Sequence, residues 1–149
     1  LMSDSAERFS EGTIQLARWG ASRAKWGDFG VAKDETSYAK IRKDPDEERG
    51  KRMCVSGMII EIRVERLDDG AKVSNGIMMS YGGNLLRFVA VGSSGDLVQQ
   101  HSARFCGVVI GNYEYSNSGG GTGHAVQMVG MFDIKDNNPT KARRRSYDD

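Results

Sequence analysis

Few side chains in this sequence have the chemistry needed for catalysis or metal binding. The chain contains two histidines, His101 and His124, and two cysteines, Cys54 and Cys106. A thiol and an imidazole can act as a nucleophile and its base, but Cys106 lies in an apolar run, where a buried and inert thiol is the common outcome. None of these residues has the spacing of a zinc site. We therefore expect no catalytic residues, no metal and no cofactor, with a Cys106–histidine enzyme as a minor alternative.

A glycine-rich stretch at residues 116–124, SNSGGGTGH, has the composition of a phosphate-binding loop. It lacks the lysine of the GxxxxGK[ST] motif, and it connects two strand-like runs instead of leading into a helix. The helix N-terminus that binds phosphate in such loops is therefore missing. We predict that this stretch is a flexible hairpin tip.

Aromatic and arginine side chains provide the chemistry for binding single-stranded nucleic acid, by stacking on bases and by neutralising phosphates. The candidate ligand-binding residues are Tyr81, Arg87, Arg104, Tyr113 and Tyr115. Residues 51–136 carry eight basic and eight acidic side chains, so this part of the chain is neutral. Nucleic-acid-binding domains usually show a basic excess. We therefore favour a role for these aromatics in covering the core, and keep nucleic-acid or oligosaccharide binding as the alternative.

The longest regular pattern in the chain is Arg52–Arg66, RMCVSGMIIEIRVER. Apolar residues alternate there with charged ones, which predicts a strand with one buried and one solvated face. The even-numbered apolar residues are expected to face the core: Met58, Ile60, Ile62 and Val64. Gly57 is expected to allow a bulge or a sharp bend, which a closed barrel requires of its strands.

Four further strand-like runs follow, at residues 71–81, 85–91, 103–115 and 125–134. A turn at Asp69-Gly70 is expected between the strand Arg52–Arg66 and the run at residues 71–81. Residues 96–102 are expected to form a single helical turn between the third and fourth strands. Five strands with short turns predict an α+β domain built on an antiparallel barrel.

Residues 1–50 precede the barrel, and we expect a helix from Ala6 to about Trp26. Trp19 and Trp26 fall on one apolar stripe of this helix. Our preferred interpretation is that the stripe docks on the barrel, and the alternative is an exposed stripe that binds a partner. Residues 36–43 are consistent with a short helix or an extended arm. Asp44-Pro45 predicts a new helical turn with Pro45 at its first position.

The domain boundaries are therefore expected at 1–50 (helix and arm), 51–136 (barrel) and 137–149 (a basic, flexible tail). No apolar run approaches the roughly 20 residues needed to cross a bilayer. The chain begins Leu1-Met2, as a trimmed N-terminus would, so the lack of a signal peptide leaves the compartment open between cytoplasm and periplasm.

The organisation of residues 51–136 resembles an oligonucleotide/oligosaccharide-binding (OB) fold, a five-stranded Greek-key barrel. The segments VSGMIIEI, FVAVGSSGDLV and ARFCGVVIG are similar to the small bacterial tRNA-anti-like OB domains. An SH3-like barrel or a small β-sandwich is the alternative fold. Because the barrel is neutral and the N-terminal helix is apolar, we expect a non-catalytic module for protein–protein or structural interaction. Its partner surface would be the Trp19 and Trp26 stripe or the barrel face.

The resemblance also bears on the two cysteines. In an OB barrel the first strand pairs with the fourth, which would bring Cys54 and Cys106 close together. Adjacent strands satisfy the Cα separation of about 7 Å or less that a disulfide needs. Two free buried thiols, as is normal in a reducing compartment, are nevertheless our preferred interpretation, and the disulfide is the alternative, because cross-strand bridges need a suitable register.

Overall fold

A computed structural model describes residues 24–66, 72–116, 119 and 122–140. Within these ranges the chain forms three short helices and five strands. The helices are α1 (Trp26–Phe29), α2 (Tyr38–Lys43) and α3 (Pro45–Glu48), and the strands are β1 (Arg52–Arg66), β2 (Lys72–Ser80), β3 (Leu85–Ala90), β4 (Ser102–Ser116) and β5 (Thr122–Phe132). The predicted strands are confirmed in number and nearly in bounds, because each is an apolar-rich run bounded by turn residues.

The five strands form one sheet that closes in a ring, in the order β1-β2-β3-β5-β4, with β4 returning to β1. The prediction that all strands are antiparallel is wrong, because β3 and β5 run parallel, with Leu85 opposite Ala125 and Ala90 opposite Gly130. Parallel neighbours need a long connection. Here the connection from β3 to β5 includes β4. This strand pairs with the edge of β5 that faces away from β3, and it also pairs with β1.

The interior of the ring is filled by one hydrophobic cluster, to which every strand contributes. Phe88, Phe105 and Phe132 lie at its centre, fully buried, with ring centroids 5.2–5.6 Å apart. Two of the three ring pairs are edge-to-face, a favoured arrangement for aromatic side chains. Ile41 of α2 is fully buried in the same cluster, so α2 packs against the interior.

A second cluster lies on the opposite face of the sheet. Val89 and Val129 belong to it, whereas their neighbours Phe88 and Met128 belong to the first, as alternation along a strand requires. Phe29 of α1 is buried there, and Trp26 packs against it half-buried. Trp26 is thus in contact with the sheet. The predicted helix does not extend to Trp26, because Lys25 has an extended backbone and precedes α1 as its N-cap. Trp19 and the rest of residues 1–23 lie outside the described residues.

The predicted orientation of β1 is wrong. Its buried positions are Met53, Val55, Gly57 and Ile59, whereas Met58 and Ile60 are exposed. A register shift between Ile59 and Glu61 then reverses the alternation, so that Ile62 packs against the core. The apolar residues of β1 are therefore on both faces, and the bulge lies three residues after Gly57.

The short helices have local causes. Ser37 accepts a hydrogen bond from the backbone N–H of Lys40 at 3.3 Å, so residues 38–43 begin as a capped helix. Asp44 caps α3 in the same way, with Pro45 at the first position, which confirms that prediction. The predicted helical turn at 96–102 is wrong: residues 92–101 form turns.

The connection between β3 and β4 is tied to the end of the chain that follows β5. The Asn137 side chain accepts a hydrogen bond from the backbone N–H of Ser93 and donates to the carbonyls of Ser93 and Phe132. Asn138 donates to the Asp133 carboxylate at 2.8 Å. The first two residues assigned to the basic tail thus contact the sheet region, and residues 141–149 lie outside the described range.

Candidate functional site

The two cysteines and two histidines are not arranged as a nucleophile and its base. Cys54 and Cys106 face each other across β1 and β4, and their sulfurs are bonded at 2.08 Å. A disulfide sulfur has no thiolate with which to act as a nucleophile or metal ligand. His101 and His124 are both exposed, His101 beside Ile59 and His124 in β5 opposite Glu114. Across the described residues, no group of three or more His, Cys, Asp or Glu side chains is arranged to hold a metal ion.

The five candidate ligand-binding residues fall in two separate places. Tyr81 and Arg104 both flank Ser56 of β1: the Tyr81 backbone N–H donates to the Ser56 carbonyl, and Arg104 is the Ser56 partner in β4. Tyr81 is 68% exposed, and its hydroxyl donates to Ser102 Oγ at 2.6 Å. These two residues therefore form a surface of their own.

The other three candidates lie toward the β4–β5 hairpin. Arg87 is half-buried on β3, opposite Gln127 of β5. Tyr113 is opposite Ala125, and Tyr115 is opposite Gly123. Gln127 is opposite Gly111, seven residues along β4 from Arg104, which corresponds to about 23 Å at 3.3 Å per residue. Arg87 and Arg104 are therefore far apart along the sheet. Most of the glycine-rich stretch 116–124 lies outside the described residues.

Arg104 is paired within the chain. Its guanidinium donates to the Asp133 carboxylate at 2.7 Å, and Asp133 is buried while Arg104 is exposed. The Asp133 carboxylate neutralises the positive charge of Arg104, so this charge is less available to a phosphate group. Tyr81 and Arg104 therefore offer an aromatic surface beside a neutralised arginine, which is a weak site for a polyanion.

An apolar surface on the outer face of β1 is formed by Met58 and Ile60, which we call the β1 apolar surface. Their exposed fractions are 41% and 46%. The alternating pattern selects these side chains but assigns them to the core, because alternation identifies two faces without saying which one is buried. The signal that could have corrected the assignment is the equally apolar run Met53, Val55 and Ile59 on the other parity.

The edge of β1 that pairs with β2 extends beyond β2 over residues 52–56, and side chains close it there. The backbone N–H of Cys54 donates to the Asp34 carboxylate at 2.9 Å, and that of Arg52 donates to the Glu35 carboxylate at 2.8 Å. These side chains replace a neighbouring strand there. Hydrogen bonds from the Arg52 side chain, and then from its backbone, lower the pKa of Glu35 below its usual value.

The far edge of β1, meaning the side of residues 62–66 that faces away from β2, is different. The chain near Gln100 and His101 pairs with Ile59 on this side, through N–H···O bonds of 2.7 and 2.9 Å. From Ile62 to Arg66, β1 pairs with β2, and no residue in the described part of the chain pairs with it along the far edge. Arg63, Val64, Glu65 and Arg66 are exposed.

A small cleft lies where α2 meets the end of the sheet. It is lined by Tyr38 and Arg42 from α2, together with Asn84, Asn112 and His124 among others. Arg42 donates to the Asn84 side chain at 3.0 Å. Burial raises the pKa of the Tyr38 hydroxyl above its usual value, so that this group stays protonated and neutral. The cleft therefore offers mainly neutral polar groups and one arginine that already has a partner.

Comparison with known proteins does not assign the chain to a family: no family model matches it, and no curated protein matches it. In the described residues, no helix is both long enough and apolar enough to span a membrane.

Proposed function

We propose that this protein is a non-catalytic module that binds another protein through the β1 apolar surface. The observation that carries the proposal is the exposure of two large apolar side chains, Met58 and Ile60, on the outer face of one strand. Burying apolar area is the main driving force of protein association, at about 25 cal/mol per Å² of surface removed from water. Exposed apolar patches on a folded domain often mark such contacts.

The electrostatic pattern around this surface supports the same proposal. Glu61 and Arg63 lie beside the apolar residues and form an ion pair at 2.8 Å, so the surface carries both signs of charge. An apolar centre with a mixed polar rim is the usual composition of a protein–protein interface. The neutral balance over residues 51–136 favours a protein partner over a polyanion.

We further propose that residues 51–136 form an OB-like barrel, and that the predicted N-terminal helix packs on it. The ring closure between β1 and β4, and a strand order that departs from the chain order, support the first part. The contacts of Trp26 and Phe29 with the second cluster support the second, because they hold the segment that follows the predicted helix against the sheet.

Single-stranded nucleic acid or oligosaccharide binding is the second candidate. Tyr81 favours it, because an aromatic ring that is 68% exposed is available to stack on a base or a sugar. The Arg104–Asp133 ion pair weighs against it, since it occupies the nearest arginine. The protein-binding proposal therefore takes precedence.

The test compares proteins captured from the source cells by the wild type with those captured by Met58→Lys and Ile60→Lys variants. We expect specific partners to be lost with both variants and retained by Ala39→Lys, a matched control on the exposed side of α2. The same proteins captured equally by all four forms would reject the β1 apolar surface as the binding site.

A titration with fluorescent single-stranded oligonucleotides across a salt series separates the two candidates. Protein binding predicts no measurable affinity, whereas nucleic-acid binding predicts an affinity that falls steeply with salt, because counterions are released from the phosphates. Loss of that affinity in Tyr81→Ala would establish the second candidate in place of the first.

A further inference from the structure

Among the residues that the structure describes, none pairs with the far edge of β1, which lies next to the β1 apolar surface. A strand edge with no neighbour offers a row of N–H and C=O groups that can extend the sheet onto another chain. Residues 63–66 are all exposed, and β1 remains paired with β2 along this segment, so the edge is held in strand conformation. What pairs with it depends on the side chains along it.

We propose that a second copy of this chain pairs with the far edge of β1, antiparallel, with the twofold axis passing through Val64. The inference rests on the proposed protein-binding function, and it names the partner. In this arrangement Val64 faces Val64 of the second copy, which removes from water a side chain that is 60% exposed. Arg63 faces Glu65 of the second copy, and the symmetry repeats that pair, so the segment Arg63-Val64-Glu65 is complementary to itself.

The charges also select the register. Opposite charges directly across two strands stabilise a sheet, and like charges destabilise it. A twofold axis through Arg63 would place Arg63 against Arg63 and Glu61 against Glu65. A twofold axis through Ile62 would place Glu65 of the second copy opposite Ile59. The chain near Gln100 already occupies the edge of β1 at Ile59. The axis through Val64 avoids both conflicts.

The ion pair within one chain does not prevent this pairing. Arg63 and Glu61 are in contact at 2.8 Å, but the Arg63 side chain is 67% exposed. Exposed ion pairs contribute little net stability, and a guanidinium has enough donors for two carboxylates. Because only about five residues pair on each side, we expect a weak dimer with a dissociation constant on the order of micromolar or higher.

The first test uses charge reversal with sedimentation velocity over a range of protein concentrations. The wild type should associate as concentration rises. Arg63→Glu and Glu65→Arg should each weaken association by about tenfold or more, because each places like charges opposite each other twice. Mixing the two variants should restore association, as should the double variant R63E/E65R, since both combinations recover unlike pairs. Restoration also shows that the single variants are folded.

The second test uses the fact that Val64 would face its own copy. The two native cysteines are joined in the structure, so Val64→Cys adds one free thiol per chain. Under mild oxidation V64C should form covalent dimers, and Val98→Cys, at another exposed position, should not.

Three results would overturn the dimer: a wild type that stays monomeric at all concentrations, a mixture of charge variants that does not reassociate, or equal cross-linking of V64C and V98C. A monomeric wild type that still loses its partners in the Met58→Lys variant would leave the proposed function intact with a different partner. A wild type that captures no specific protein and also does not self-associate would reject both the proposed function and the dimer.

Discussion

At the residue scale, Glu48 is the best example of a charge that the fold depends on. It lies at the end of α3 with its side chain only 7% exposed, and it accepts a hydrogen bond from the Lys51 ammonium. That bond lowers the pKa of Glu48 and raises the pKa of Lys51, so both groups favour their charged forms when the protein is folded. A buried charge that loses its partner is strongly unfavourable.

We expect Glu48→Gln to lower the melting temperature at neutral pH. Because the pKa of Glu48 is lower in the folded state, the wild type gains its stabilisation above the unfolded pKa and loses it as pH falls through the folded pKa. The difference in melting temperature between wild type and variant should therefore shrink toward zero in acid. Glu47→Gln, at an exposed neighbour, is the control. A difference that does not change with pH would contradict this account.

At the element scale, β4 and β5 approach each other closely at a pair of glycines. Gly107 lies opposite Gly130, on the face that lines the ring interior. A Cβ on Gly130 would lie 2.0 Å from the carbonyl oxygen of Cys106, and one on Gly107 would lie 2.4 Å from that of Val129. Both contacts are with backbone, which cannot move without displacing a strand. The glycines thus permit the tight coil that closes a small ring.

Replacing Gly130 with alanine should therefore destabilise the protein by about 1–3 kcal/mol or more, as overpacking of a tightly packed core does. The free energy of unfolding from urea titration measures the effect. Gly82→Ala is the matched control, because a Cβ there has its nearest neighbours at 3.8 Å. Equal stability of the two variants would mean that the close approach of β4 and β5 is not needed.

At the scale of the whole molecule, the Cys54–Cys106 bridge joins the first strand to the fourth, where the ring closes. The two cysteines are 52 residues apart in sequence, so the bridge removes much of the conformational freedom of the unfolded chain. Such a bridge persists in oxidising compartments and is rare in reducing ones.

The double variant Cys54→Ala/Cys106→Ala should lose about 4 kcal/mol of stability, the value that chain entropy gives for a loop of this length. Chemical denaturation of the oxidised protein and of the variant measures the loss. Thiol titration of the unfolded, unreduced protein should find no reactive thiol. Two reactive thiols would contradict the bridge and favour a reducing compartment.

The local elements could be predicted from the sequence. The period-two pattern of Arg52–Arg66 and the turns between later runs located all five strands, and Asp44-Pro45 located α3, because these signals act between residues that are close in the chain. The chemistry of the candidate residues could be read as well. Their grouping could not, since Tyr81 and Arg104 meet only because β2 and β4 both adjoin β1 at Ser56.

The tertiary structure was needed to establish which face of β1 is buried, how β3 and β5 pair, and whether the two cysteines form a disulfide. Met58 and Ile60 are as apolar as Val55 and Ile59, so composition does not separate the two faces. The direction in which the sheet curves separates them, together with the bulge after Ile59. Curvature results from pairing among all five strands, and therefore from contacts between residues far apart in the chain.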